Sequence, residues 1–458
     1  MRNDQFGYEI PVSNRAAAEG WDQMVLEFLA HAATTPEHLG TVLTEAPDFV
    51  MAHAAKGLFC LMLGRAEMHD TAREAYAAAC LAAKQGAPTP REMGYVRALG
   101  AWLDGRPSDC VEALEEVLAR WPEDALAMKI SHATRFILGD RHGMRHSVEA
   151  LLPAYDAQNP ARGYLLGCHA FALEETGEYT RAETAGRMAL SLASDDAWGL
   201  HAVAHVFDMT ANARAGIDWL QGREHAWAHC NNFRYHVWWH KALLHLDQNR
   251  IAEVFDLYDT EIRRDRTDDF RDISNATSLL MRLELEGHDV GRRWEELADV
   301  CERRTEDACL IFADLHYLMA LVGGNRDAAT ARMMARLQRD ARRTDMTEMQ
   351  ARMAHPGLSA ATGLEAFGEG DYRTAFLNLG QARQSMQSIG GSHAQRDVFE
   401  RLTIDAGIRS GFLDEAEKIL HERSGQRAGT LDSYAANRLD LISAARGNWK
   451  TAQRLPAE

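Results

Sequence analysis

Two stretches of this sequence space their histidines as a shared chemical site would. Residues 201–209 read HAVAHVFDM, and residues 236–246 read HVWWHKALLHL. If both are helical, His201 and His205 lie about 40° apart on one face, as do His236 and His240, because each residue turns the chain about 100°. Asp208 falls within about 20° of His201 on the same wheel, whereas His245 is about half a turn from His236 and belongs to another surface. Imidazole and carboxylate donors on two neighbouring helices suit a divalent transition metal such as zinc, iron or manganese. The expectation is that His201, His205, His236 and His240 are metal ligands, with Asp208 as a base or as the acceptor that fixes a histidine tautomer. The competing reading is packing. The chain has 20 histidines, His225 and His229 form another i, i+4 pair, and one such pair is ordinary core. A polar pocket without metal lies between the two.

Further residues are expected to line the same pocket. In FADLHYLMA (312–320), Asp314 and His316 are about 200° apart on a helix, and His316 is preferred as an acid–base group because its neighbours suit a buried face. In GGSHAQRDVF (390–399), Ser392 and Gln395 form a capping box that starts a helix. That leaves Arg396 for the pocket rim and Asp397 as a second candidate base, or the two as a structural ion pair. Asp272 and Asn275, three apart, are weaker lining candidates, and Trp239 is expected to supply an aromatic wall. No GxxxxGK[ST], GxGxxG, GxSxG or HExxH pattern occurs, so nucleotide binding, a serine nucleophile and a zincin base have no support. Any hydrolysis would need metal-activated water with a carboxylate or free histidine as base.

The elements that must carry these residues follow from composition and period. Ala, Leu, Arg, Glu and Met abound over Val, Ile and Thr, and 11 prolines are few for 458 residues; both favour helix. A turn of the type Leu/Glu-x-Gly/Asn-polar recurs near Gly64, Gly105, Gly139, Gly177, Asn212, Asn249, Gly287, Gly324, Gly370, Gly411 and Gly447, at intervals of 34 to 46 residues. A helix–turn–helix unit of that length is the tetratricopeptide signature, with ARGYLLGCHAFALEETGEYTRAETAGRMALSL (161–192) its clearest example. The expected fold is an all-α, tetratricopeptide-like superhelical solenoid, with a less regular helical segment at 1–45 and one repeat array at 46–458.

The stretches HAVAHVFDM, HVWWHKALLHL, SLLMRLELEGHDVGRRW (278–294), FADLHYLMA and GGSHAQRDVF also carry a resemblance. Across nearly its whole length the chain resembles the tetratricopeptide repeat protein 38 family. The resemblance implies an all-helical repeat fold and no particular reaction.

A formal net charge of −17 argues against nucleic acid as a partner, since phosphate binding needs clustered Lys and Arg. Seven cysteines without a CxxC pair point to no disulfide framework and to the cytoplasm. The start lacks a secretory pattern, and no apolar run of about 18–20 residues suggests a membrane span. Two functions remain. One is a metal-dependent hydrolase of an amide- or ester-like small molecule or short peptide. The other is a non-enzymatic scaffold that takes a peptide or protein in its concave groove. A terminal repeat could serve as a homodimer face, though no residue pattern argues for it.

Overall fold

The computed structural model describes residues 2–452, with side chains through residue 447; residues 453–458, the end of the 46–458 span, lie outside the described residues. Helix follows helix from Arg15–Leu29 to Ser433–Ala452, and the named strands among the described residues are Arg2–Asn3 and Glu9–Ile10, paired as a short antiparallel hairpin. The protein is an all-α helical-repeat solenoid. Its pairs include Val50–Met62 with Ala66–Gln85, Arg162–Glu175 with Tyr179–Leu192, and Phe233–Asp247 with Ile251–Leu257.

Local chemistry sets the helix ends. Asp124, Asp140, Asp196 and Asp371 each cap a helix by accepting a backbone N–H two or three residues inside it, which satisfies one of the donors a helix start leaves free. Ser392 and Gln395 form the expected capping box on helix His393–Ser410. The turns between paired helices hold a left-handed residue at Gly64, Gly105, Gly139, Gly177, Asn249, Gly287, Gly370 and Gly411. Three expected positions differ. At Asn212 and Gly324 the left-handed residues are Ala211 and Asn325. There Asn212 N–H closes on Phe207 O at 2.8 Å and Arg326 N–H on Leu321 O at 2.9 Å, a closure that fixes which residue must reverse the chain. Gly447 is no turn at all, because helix Ser433–Ala452 runs through it.

The coil returns onto itself. Residues far apart in the chain meet, as in Arg65 with Asp268 at 2.5 Å, 203 positions away, and Gln387 Nε2 with Gly139 O at 3.0 Å, 248 positions away. Gly139 is needed at that crossing: a Cβ there would lie 1.9 Å from the carbonyl oxygen of Gln387. The inner side is therefore an enclosed interior rather than the open groove of a loose superhelix. One consequence is visible in helix Ala197–Met209, where every residue but Asp208 is buried. Helices Phe233–Asp247, Phe270–Leu285 and Ile311–Gly323 are likewise buried on nearly all sides, the first two with polar side chains such as His236, His240, Asp272 and Asn275 among the buried ones. All seven cysteines are free. No helix among the described residues is long and apolar enough to cross a membrane.

Candidate functional site

Helices Ala197–Met209 and Phe233–Asp247 pack against each other in the interior, and their histidines meet. The ring centroids of His205 and His240 are 4.2 Å apart, those of His201 and His205 4.5 Å, and those of His236 and His240 4.6 Å. One nitrogen from each of the four lies within 4.8 Å of the others. All four residues are buried.

The outer nitrogens are anchored. His201 Nδ1–H donates to Trp198 O at 3.2 Å, and His236 Nδ1–H donates to Asn275 Oδ1 at 3.1 Å. His205 Nδ1 sits 3.4 Å from Glu174 Oε2, a long ion pair. A proton held on Nδ1 leaves the lone pair on Nε2, at the opposite edge of the ring and available as a ligand. His240 Nε2 lies 3.1 Å from His236 Nε2. Burial, reinforced by the neighbouring imidazoles, holds His201 and His240 well below the ordinary histidine range and brings His236 down to about 3. His205 goes the other way: burial opposes its charge, yet Glu174, with Glu175 and Asp208 behind it, raises it.

Glu174 and Glu175 were not anticipated. They end helix Arg162–Glu175 inside the EETGEYT turn, both are buried, and with His205 they form a second potential donor set. The signal was present: two adjacent acids closing a long apolar helix are costly to bury unless something meets their charge. Glu175 is met by Arg396 at 3.3 Å and by the His393 backbone N–H at 2.7 Å, whereas neither Glu174 oxygen makes a well-aligned hydrogen bond.

Asp208 is not with the histidines. It pairs with Arg427 at 2.9 Å. The helical wheel ignored axial rise: seven residues from His201 is about 10 Å along the helix. Asp397 accepts from Arg401 Nε at 2.8 Å and Arg423 Nε at 2.6 Å. Burial works against its charge, yet Arg423 and Arg401 hold it well below the usual carboxylate range, which makes it a poor base. Arg396 is taken by Glu175 and by Gln387 Oε1 at 2.9 Å. His316 lies outside the cluster. Its Nδ1–H donates to Phe312 O at 2.7 Å, its Nε2 is buried without a partner, and burial lowers it to about 4. Asp314, set aside in favour of His316, is bound by both arms of Arg336. Trp239 stacks on His236 at 5.3 Å and backs the cluster. Asp272 accepts from Asn232 Nδ2 at 2.6 Å and from Thr267, one helical turn from Asn275. Burial, with Asp269 nearby, pushes it up to about 7. His245 and His229 stand apart, the latter on Ala30 O at 3.1 Å.

A cavity of about 620 Å³ adjoins the cluster, within the usual range for small-molecule pockets. His201 and His236 stand in its wall, among Phe171, Trp198, Phe233 and Phe312; His205 and His240 lie behind them. A second cavity, about 610 Å³, is lined by charged residues including Arg396, Asp397 and Arg423 together with Met209, Leu379 and Phe399.

No family model matches the chain. Among solved structures it is similar to a human IFIT1 dimer with PPP-AAAA, at 12% identity and a TM-score of 0.41, covering 97% of this chain and 98% of that one. It is also similar to a human IFIT1 dimer with m7Gppp-AAAA, at 13% identity and a TM-score of 0.39, covering 97% of each. Likeness at that level carries no argument about a ligand here. Those neighbours are seen with PPP-AAAA and with m7Gppp-AAAA, and the expectation that excluded a nucleic-acid partner is withdrawn. A charge summed over the whole chain says nothing of one interior cavity, and Lys56, Lys129 and Arg271 stand in this one.

Proposed function

We propose that this chain is a helical-repeat binding protein whose interior cavity takes a small molecule or the end of a short peptide, with a divalent transition metal held in its wall by His201, His205, His236 and His240. The observation that carries the metal is the arrangement of the four imidazoles. They converge within 4.8 Å, and Trp198 O, Asn275 Oδ1 and Glu174 Oε2 stand outside to hold three outer nitrogens. Ligating histidines are commonly oriented in this way. Buried imidazoles, with His201, His236 and His240 held in the neutral form, suit zinc, iron or manganese, and a bound ion would supply Lewis acidity at the cavity wall.

Hydrolysis of an amide or ester is the narrower reading, and the donor set favours it less than binding. Four protein ligands form the closed arrangement of structural metal sites, while catalytic sites keep a position open. The carboxylates first considered as bases, Asp208 and Asp397, are committed to arginines. Asp269, at the cavity, is committed to Arg271 at 2.7 Å. A peptide or protein partner is supported by the repeat fold itself and by Lys56, Asn231 and Asn232 at the cavity. Membership of the tetratricopeptide repeat protein 38 family belongs to the same proposal. Its support is that the resembling stretches HAVAHVFDM, HVWWHKALLHL, FADLHYLMA and GGSHAQRDVF all fall on buried inner helices or their starts.

The test is elemental analysis of untagged protein. The expected result is a near-stoichiometric transition metal that is lost in a His201→Ala, His240→Ala double variant. Metal-free protein whose unfolding temperature responds neither to zinc nor to a chelator would overturn the metal. Ester turnover abolished by chelation would reverse the order of binding and hydrolysis.

A further inference from the structure

Lys129 is 4% exposed and stands in the cavity wall. Its ammonium is 4.7 Å from the centre of the Trp198 ring and 3.8 Å from Cys168 Sγ. Among the described residues no carboxylate pairs with it. Asp196, near enough to feel its charge, is turned to cap its own helix through Gly199 N–H at 3.2 Å. A buried ammonium whose contacts are a ring face and a thiol is costly unless an anion joins it. The neighbouring donors are also unspent. His132, on the same helix Ala125–Leu138 as Lys129, has both ring nitrogens buried without partners, and so is Trp198 Nε1. Elsewhere the wall is predominantly apolar, with Phe28, Leu39, Phe59, Leu63, Leu310 and Phe312. Its other cations are not buried: Lys56 is exposed, and the half-buried Arg271 is already neutralised by Asp269 through two hydrogen bonds at 2.8 and 2.7 Å.

We propose that the ligand of this cavity is a monocarboxylic acid with an apolar body, its carboxylate on Lys129 Nζ beside His132 and Trp198 and its body along the aromatic and leucine wall. One uncompensated buried cation matches one negative charge, whereas a phosphate monoester would bring nearly two. The assignment rests on the cavity being a small-molecule site and does not need the metal.

The test is calorimetric titration of the full chain with octanoate, octan-1-ol and octylamine, each with zinc present and with EDTA. Octanoate is expected to bind at least about tenfold tighter than octan-1-ol in both conditions. Lys129→Met should erase that preference while leaving octan-1-ol binding intact, and Lys129→Arg should keep it. Equal binding of acid and alcohol to the natural protein overturns the proposal, as does a preference that survives in Lys129→Met or no binding by any of the three. A preference removed by EDTA overturns it too, since the head group would then sit on the metal. If the Met variant does not fold, the acid-to-alcohol ratio of the natural protein decides. Metal content, measured separately, fails or holds without changing the EDTA comparison.

Discussion

The Nε2 atoms of His236 and His240 face each other at 3.1 Å. His236 carries its proton on Nδ1, toward Asn275, so its Nε2 is an acceptor. Either His240 places a proton between the two nitrogens, or both share an electron-pair acceptor. Zinc addition is therefore expected to raise the unfolding temperature of the natural protein, by about 2.7 kcal/mol of stabilisation at a hundredfold excess over Kd, and to leave His240→Ala unmoved. Equal shifts in both proteins would show zinc binding elsewhere.

The outer acceptors should set metal affinity without touching the metal. Glu174→Gln and Asn275→Ala are each expected to weaken zinc binding by about 10- to 100-fold, measured by competition with a chromophoric chelator, with the helical circular dichroism unchanged. Affinity unaltered in both variants would mean that the rings are oriented by packing alone.

Asp397 should matter to stability and not to the metal. Removing it leaves buried Arg401 with Glu286 and buried Arg423 with Asp432 as remaining partners, and the lost hydrogen bonds to a charged group cost about 1–3 kcal/mol. Denaturant unfolding of Asp397→Ala checks this. Lost metal at unchanged stability would contradict the assignment.

Asp196 gives a pH signature. Burial raises it from 3.8 to about 7, so the folded state keeps a proton that the unfolded state releases near pH 4. The sign follows: stability is unaffected by this group below that pH, declines as pH rises from about 4 to about 7, and stays reduced above. Asp196→Asn keeps the helix cap and removes the penalty, so its advantage over the natural protein should grow by about 2–3 kcal/mol between pH 5 and pH 8. A constant or shrinking advantage would refute the raised pKa of Asp196.

The crossing at Gly139 should tolerate no side chain. Gly139→Ala combines a left-handed backbone with a clash against Gln387 O and should lower stability by more than about 1 kcal/mol. A neutral effect would show that the two coils are not in contact there.

What the sequence determined by itself was whatever depends on neighbours along the chain. Helical spacing brought His201 to His205 and His236 to His240, the thirty-odd-residue period set those two helices side by side, and Ser392 with Gln395 announced a helix start. Angle around a helix is local and legible. Distance along its axis and the identity of the facing element are not, so Asp208 was misassigned while Glu174, which does meet His205, was read only as part of a turn. The tertiary structure decided the rest because the coil closes on residues some two hundred positions away. That closure brings Arg427 to Asp208 and Arg396 to Glu175, and it turns a groove into a cavity. Buried charges take the nearest opposite charge in space, and no period in the sequence encodes which one that will be.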